Sequence, residues 1–371
     1  MQTRNKIAII GGGLAGLISS IILVRKGIAV TLFEKKIYPF HRVCGEYISN
    51  EVVPFLKSLD LFPQQFQPAS ITRFQLTAVN GKSAVLPLDL GGFGISRFTF
   101  DNFLYQKAIN NGVHVQHTEV KDVNFHGDQF SVSYSDKKDV FDIVLCAFGK
   151  RSNLDVEWKR KFATRRSPYV GVKHHLRTNH PPDLIALHNF EGGYCGISNV
   201  EDGKSNLCYL VHRDKVREAG SIAQLETSFL KKNPWLKSIF ENSEFLLERP
   251  ETINEISFET KEPVYQHMLM MGDAAGMITP LCGNGMSMAI RSGKMAAELV
   301  IQFCDGILSR EEMEKQYSRQ WSRTFSNQLW FGRQVQRLFG SVFASNVAIQ
   351  IAINSKWIAK TIIRNTHGQP F

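Results

Sequence analysis

An α/β fold built on a Rossmann-like parallel sheet is predicted by three features of the sequence. An apolar pentapeptide runs straight into a glycine-rich turn, an uncharged helical segment follows, and a second apolar strand ends on a carboxylate. Lys6–Ile10 reads as the first strand, Leu14–Lys26 as the helix with Gly27 as its left-handed cap, and Ala29–Phe33 as the next strand. Further along, a β-meander, an interleaved strand-rich domain and a helical C-terminus are expected. The parallel-sheet domain takes residues 1–72, 95–165 and 262–304, the strand-rich domain 73–94 and 166–261, and the helical segment 305–371.

Composition supports two globular domains, because 371 residues with 43% hydrophobic and 21% charged side chains can bury a sizeable core. Ile7–Val24 carries no charge and follows a basic start, as a signal peptide or membrane span would. Gly11, Gly12, Gly13 and Gly16 within it, and the strand that follows at once, argue for strand, turn and helix instead. No other run is apolar for long enough to span a bilayer, and a cytoplasmic location is expected. The six cysteines (Cys44, Cys146, Cys195, Cys208, Cys282, Cys304) form no CxxC pair and no cluster at metal-ligand spacing, so reduced thiols and no metal site are expected.

Thr99 reads as the N-cap of a helix to about Asn110, ended near Gly112. VHVQ, VKDVNF, QFSVSY and FDIVLC follow as successive strands. Between Tyr169 and Phe258 the strands YVGVKHHLR, LIALHNF, SNLCYLVH and ETINEISF are interrupted by a helix around Ser221–Lys231. Alternation puts His174 on one face and Lys173, His175 and Arg177 on the other, which reads as a solvated polar face. MLMMG at 268–272 resumes the buried-strand pattern, and Asn284–Phe303 and the remainder read as helical. GGFG and EGGYCG lack a following helix with phosphate-loop context, so no second nucleotide domain is expected.

Two motifs carry the chemistry. In GGGLAG, Gly11, Gly13, Ala15 and Gly16 let backbone N–H groups approach a pyrophosphate at a helix start. Glu34, 18 residues after Gly16, can accept hydrogen bonds from a ribose 2′-hydroxyl, and its charge disfavours a 2′-phosphate. In GDAAGMITPLCGNGM at 272–286, a buried strand delivers Asp273 to a sugar-alcohol hydroxyl. A turn at Pro280 then leads through Gly283 and Asn284 to Gly285 and Met286, which open a helix able to lie against the N1/O2 edge of an isoalloxazine. One site for an adenosine diphosphate and one for a flavin specify FAD as the cofactor.

In these motifs the chain resembles the superfamily of FAD-dependent aromatic hydroxylases and geranylgeranyl reductases, with the para-hydroxybenzoate hydroxylase type of fold, over about residues 5–300. The resemblance implies that Arg97 reaches the cofactor, that the Val120 backbone meets adenine, and that Gly285 and Met286 offer amides to the pyrimidine edge. AFGKRS at 147–152 departs from the internal ADGxxS motif by placing Phe148 at the acid. YCGISN from Tyr194 matches neither the YxWxFP of prenyl reductases nor the WxWxIP of flavin halogenases, which argues against halogenation. HRVCGEYIS resembles the reductase branch, where a Cys-Gly pair lies close to the flavin; Arg42 could then bind cofactor or substrate oxygens. No catalytic side chain is assigned, and Cys44 and Tyr194 are the candidates. The implied activity is monooxygenation of a hydrophobic or aromatic substrate through a flavin C4a-hydroperoxide, with NAD(P)H or an electron-transfer protein as donor. Alternatives are an isoprenoid or lipid double-bond reductase, and a module in which FAD only holds the fold.

The formal charge of +10 is concentrated at the C-terminus, where Arg319–Phe371 holds seven Lys or Arg (Arg319, Arg323, Arg333, Arg337, Lys356, Lys360, Arg364) and no acid. Trp330, Phe339, Phe343 and Trp357 are interleaved with them, as suits packing over the strand-rich domain or a further role; for the latter an acidic substrate or carrier protein is an alternative, and peripheral contact with an anionic membrane fits best. No nucleic-acid module accompanies the patch, so nucleic acid is not expected as a partner.

Overall fold

Strands that are apolar along their whole length need cover on both faces. In the computed structural model, which describes residues 5–164, 167–254, 256–277, 279, 283–336, 345–347, 349–350 and 368–371, those strands form the centre of a six-stranded sheet. Its order is Val264–Tyr265, Met268–Met270, Ile143–Cys146, Lys6–Ile10, Ala29–Phe33, His114–Gln116, parallel except for the Val264–Tyr265 hairpin edge. The meander is a separate three-stranded sheet of Val120–His126, Gln129–Tyr134 and Lys137–Phe141. FDIVLC, expected as one strand, is therefore divided. Phe141 ends the meander, Asp142 gives its N–H to the Lys6 carbonyl at 2.9 Å, and Ile143–Cys146 enters the parallel sheet.

A nine-stranded sheet forms the second layer, running Glu244–Phe245, Tyr169–Arg177, Ser205–His212, Gly193–Asn199, Leu184–Phe190, Ala69–Thr77, Ser83–Gly94, Tyr47–Ser49, with Glu251–Ile253 also on Tyr169–Arg177. Gly193–Asn199, read from sequence only as a glycine-rich stretch, is an interior strand. A Cβ on Gly193 would lie 2.2 Å from the Leu210 carbonyl, so glycine is what lets the neighbour approach. ETINEISF is a strand only over Glu251–Ile253, and the helix expected at Ser221–Lys231 breaks at Phe229 into Ile222–Ser228 and a 3₁₀ turn at Leu230–Lys232.

Two further expectations are corrected. The helix Arg97–Asn110 starts at Ser96, whose extended backbone and hydroxyl cap the Thr99 N–H, so Thr99 lies inside the first turn. Glu201, from the nine-stranded sheet's side, accepts from the Ser96 N–H at 2.7 Å and from the Thr99 hydroxyl at 2.8 Å, tying the two layers at this cap. The expected solvated face of Tyr169–Arg177 is instead covered: Lys173, His174 and His175 are 0%, 6% and 4% exposed, and of these polar side chains only Arg177 reaches solvent. Alternation holds, but both faces are packed. His174 meets Glu226 from a helix on one side, and Lys173 and His175 meet Glu46 on the other.

The helix Gly285–Cys304 packs on Leu14–Arg25, and a Cβ on Gly293 would sit 2.6 Å from the Ala15 carbonyl. The helix Arg310–Gln336 buries Tyr317, Trp321, Phe325 and Leu329 and donates the Tyr317 hydroxyl to the Met270 carbonyl at 2.6 Å. Arg319, Arg323, Arg333 and the exposed Trp330 lie on this helix, whereas Arg337, Lys356, Lys360 and Arg364 lie outside the described residues. Among the described residues no helix is long and apolar enough to cross a membrane. Gly293→Val should lower stability by about 1–3 kcal/mol through overpacking against Ala15, read as a lower midpoint in denaturant; an unchanged midpoint would mean the two helices separate at no cost.

Candidate functional site

The glycine turn closes through contacts that exclude side chains. Gly11 has φ +106°, and a Cβ there would come within 2.4 Å of the Ala147 carbonyl. On Gly16 a Cβ would lie 2.0 Å from the Gly11 carbonyl, so the helix sits directly on the turn. Gly13 is the N-cap of Leu14–Arg25, with no side-chain cap and no acid in the first turn, and a Cβ there would meet only the Arg97 guanidinium, at 3.8 Å. The amides at this end are free for an anionic phosphate.

Glu34 is fixed rather than loose. Its carboxylate accepts from the N–H groups of Gly12 and Lys36, each at 3.0 Å, and from Arg42 at 3.1 Å. Arg42 bridges to Asp101 at 3.2 Å, and Asp101 in turn holds Arg97 through two bonds of 2.6 Å. Glu34, Arg42, Asp101 and Arg97 thus form one chain of alternating charge beside the glycine turn. Asp101 was not singled out from sequence, although its place four residues after Arg97 on a helix was the available signal. Tyr38, also missed, donates its hydroxyl to the Gly12 carbonyl.

The second motif approaches the first through Ala15. The position of a Gly272 Cβ is 3.7 Å from the Ala15 methyl and 3.3 Å from that of Ala289. Asp273 follows on a 3₁₀ turn whose backbone is gripped by buried cations: Lys261 donates to the carbonyls of Asp273 and Lys150 at 2.7 and 2.6 Å, and Arg160 to that of Ala274 at 3.3 Å. Burial pushes the Asp273 carboxyl up, while Lys261, Arg97 and Lys150 pull it back. Gly283 has φ +63°, and a Cβ there would lie 3.0 Å from the ring of Tyr47; Gly285 opens the helix, and Met286 is buried on its first turn. Asn284 at the N-cap makes no capping bond, and the first turn carries no acid. Two helix starts left open in this way fit the phosphate and flavin ends of FAD.

The remaining candidates sit on the meander, on a loop and on the nine-stranded sheet. Val120 starts the meander and is buried, with its backbone paired to Tyr134 across a bulge. Cys44 lies half-buried on the loop between Arg42 and Glu46, and burial pushes its thiol up against the opposing pull of Arg97, so it stands as a protonated thiol. Tyr194 is buried on Gly193–Asn199, with its hydroxyl donated to Gln336 at 3.2 Å. Phe148 and Ala147 carry the departed acid motif; Phe148 packs against Trp158, and Ala147 closes on Gly11 and Gly16. Pro280 lies outside the described residues.

Glu51, buried beside the start of the Gly285–Cys304 helix, was not read from sequence. Burial raises its carboxyl from 4.5 to about 7, opposed by Arg291, Asn284 and Ser287. A carboxyl raised on folding adds stability that is complete below its unfolded pKa and is lost as pH rises through the folded value. Stability should therefore decline between about pH 4.5 and 7, and Glu51→Gln should remove that decline, gaining at most about 3 kcal/mol at pH 8 in denaturant titrations. Parallel pH profiles of the two proteins would contradict this assignment.

Comparison with known proteins supports the same cofactor. Residues 4–141 match the family described as FAD binding domain. A tryptophan 2-halogenase from Chondromyces crocatus is 21% identical over 351 residues, spanning 86% of this chain and 65% of that protein. The digeranylgeranylglycerophospholipid reductase 2 of Methanopyrus kandleri is 21% identical over 355 residues, spanning 91% and 87%. The solved structure of a flavin-dependent brominase shares the fold with a TM-score of 0.77 at 18% identity, over 98% of this chain and 93% of that one. Fold, paired motifs and sequence similarity agree: the chain carries an FAD binding domain over residues 4–141 and is an FAD-dependent oxidoreductase whose cofactor is FAD.

Proposed function

We propose that the protein is a monooxygenase-type flavoenzyme acting on a hydrophobic, electron-rich substrate. The observation that carries this reading is the apolar face that the nine-stranded sheet turns toward the second motif. Leu76, Leu187, Tyr194, Leu210 and Ile256 are buried there in one cluster, and Met277, four residues past Asp273, packs into it. Such a wall would orient an apolar molecule and keep water from the reacting atoms.

In this reading Glu34 takes the ribose hydroxyls, the amides after Gly13 take the pyrophosphate with Arg97 beside them, and Asp273 holds the ribityl chain. The amides of Gly285 and Met286, with the positive end of their helix, face the pyrimidine edge. Bound FAD, once reduced by NAD(P)H or an electron-transfer protein, supplies the activation of O2. Hydroxylation is preferred to halogenation because YCGISN at Tyr194–Asn199 lacks the WxWxIP tryptophans. A second reading, reduction of an isoprenoid double bond, is favoured by Cys44–Gly45 on a loop beside the groove and by the similarity to the digeranylgeranylglycerophospholipid reductase.

Aerobic turnover of electron-rich apolar compounds should give hydroxylated product at a rate indifferent to chloride and bromide. Halogenated product would move the chain to the chemistry named for its halogenase relatives, and product formed under argon with reduced cofactor would move it to the reductases. For the site itself, Asp273→Ala removes a hydrogen bond to a charged group, worth about 1.5–3 kcal/mol. FAD affinity should fall about 10- to 150-fold in equilibrium dialysis; full retention of flavin would mean that Asp273 does not hold it.

A further inference from the structure

We propose that Lys173 and Asn206, both on the nine-stranded sheet, are positioning residues that clamp the loop Arg42–Tyr47 along the cofactor groove, an inference that rests on the groove assigned above. The loop joins the two cofactor motifs. At one end Arg42 pairs with Glu34, and at the other the Tyr47 ring packs on Gly283. Between them Gly45 is exposed, and a Cβ there would meet open space.

Residues 42–46 have no regular secondary structure, so their backbone groups need partners from elsewhere. The Arg42 carbonyl accepts from Lys173 Nζ at 3.2 Å, and the Cys44 carbonyl from Asn206 Nδ2 at 3.1 Å. The Oδ1 of Asn206 is buried with no hydrogen-bond partner, so this amide is used for its donor alone. Ile95 gives its N–H to the Glu46 carbonyl at 3.1 Å. Glu46 itself stands at φ +54°, a left-handed conformation uncommon for a residue other than glycine.

Its side chain is held from three directions. The Glu46 carboxylate is wholly buried and lies 2.5 Å from Lys173 Nζ, 2.6 Å from His175 Nε2 and 2.8 Å from the Arg97 N–H. Burial works against its charge, yet Lys173 and His175 hold the carboxyl below the usual range. A buried ion pair is poor evidence of stabilisation, since apolar residues of similar volume often replace one without loss. What apolar residues could not do is hold the Arg42 carbonyl and the Glu46 side chain with one ammonium. That double contact fixes residues 42 and 46 to strand Tyr169–Arg177, and Asn206 fixes the Cys44 carbonyl between them to strand Ser205–His212. Any shift of the substrate-side sheet is thereby passed to the backbone beside the cofactor.

The test uses full-length protein and FAD alone, with Kd from flavin fluorescence, the visible spectrum, and the thermal midpoint as readouts. Lys173→Met takes the ammonium from the buried Glu46 carboxylate, leaving it only His175 and the Arg97 backbone N–H, and should destabilise the fold. The double variant Lys173→Met with Glu46→Gln carries no stranded charge and should keep the parental midpoint, while its FAD Kd rises about tenfold and its flavin absorption band shifts. Asn206→Ala, which alters no charge, should raise Kd in the same direction and serves if the double variant fails to fold. Lys173→Arg should restore part of the affinity. A folded double variant, or Asn206→Ala, with parental Kd and spectrum would reduce the cluster to a structural ion pair and overturn the proposal. If Asp273→Ala also binds FAD normally, the groove is misplaced; if Asp273→Ala alone loses FAD, only the clamp is wrong.

Discussion

The contact on which the cofactor groove depends is between two helix backbones. Gly293 lets Gly285–Cys304 settle on Ala15, at a separation that no other residue at 293 would permit. The two cofactor motifs lie more than two hundred and fifty positions apart in sequence, and neither can hold a dinucleotide alone. Their relative position is inherited from this helix pair and from Gly272, which faces Ala15 from the other side. Because close-packed interiors transmit small displacements, a methyl group at this crossing would be felt at both ends of the groove.

Electrostatics supplies the second constraint. Glu34, Arg42, Asp101 and Arg97 alternate in sign along the adenosine half, and Lys261 and Arg160 brace the backbone behind Asp273. Each group is held by one of opposite charge or by a carbonyl, so the polar lining is ordered by protein contacts. Preorganisation of this kind lowers the ordering that binding must bring about.

The parallel sheet and both motifs were legible because their signals are local: a run of apolar residues, glycines at fixed spacing, a carboxylate at a strand end. What escaped reading depended on distant partners. Lys173, His174 and His175 looked like a solvated face since alternation reports sidedness but not what covers each side, and Glu46 lies over a hundred positions away. Gly193–Asn199 was hidden for the same reason, since its glycine makes sense only against Leu210. Asp101 had a local signal, its spacing from Arg97, that went unused. Thr99 lost the cap to Ser96 by a matter of three residues, within the first turn of a helix whose existence was plain.

The two uncapped helix starts carry a consequence for how the protein lives in a cell. An N-cap side chain contributes about 0.5–2 kcal/mol to a helix, and here Gly13 provides none and Asn284 makes no such bond. An anionic ligand group at either end would supply acceptors, so bound flavin would add to the stability of the fold. Ligand binding to the native state alone shifts the folding equilibrium with free ligand concentration. Chains made when flavin is scarce would spend longer open to proteolysis.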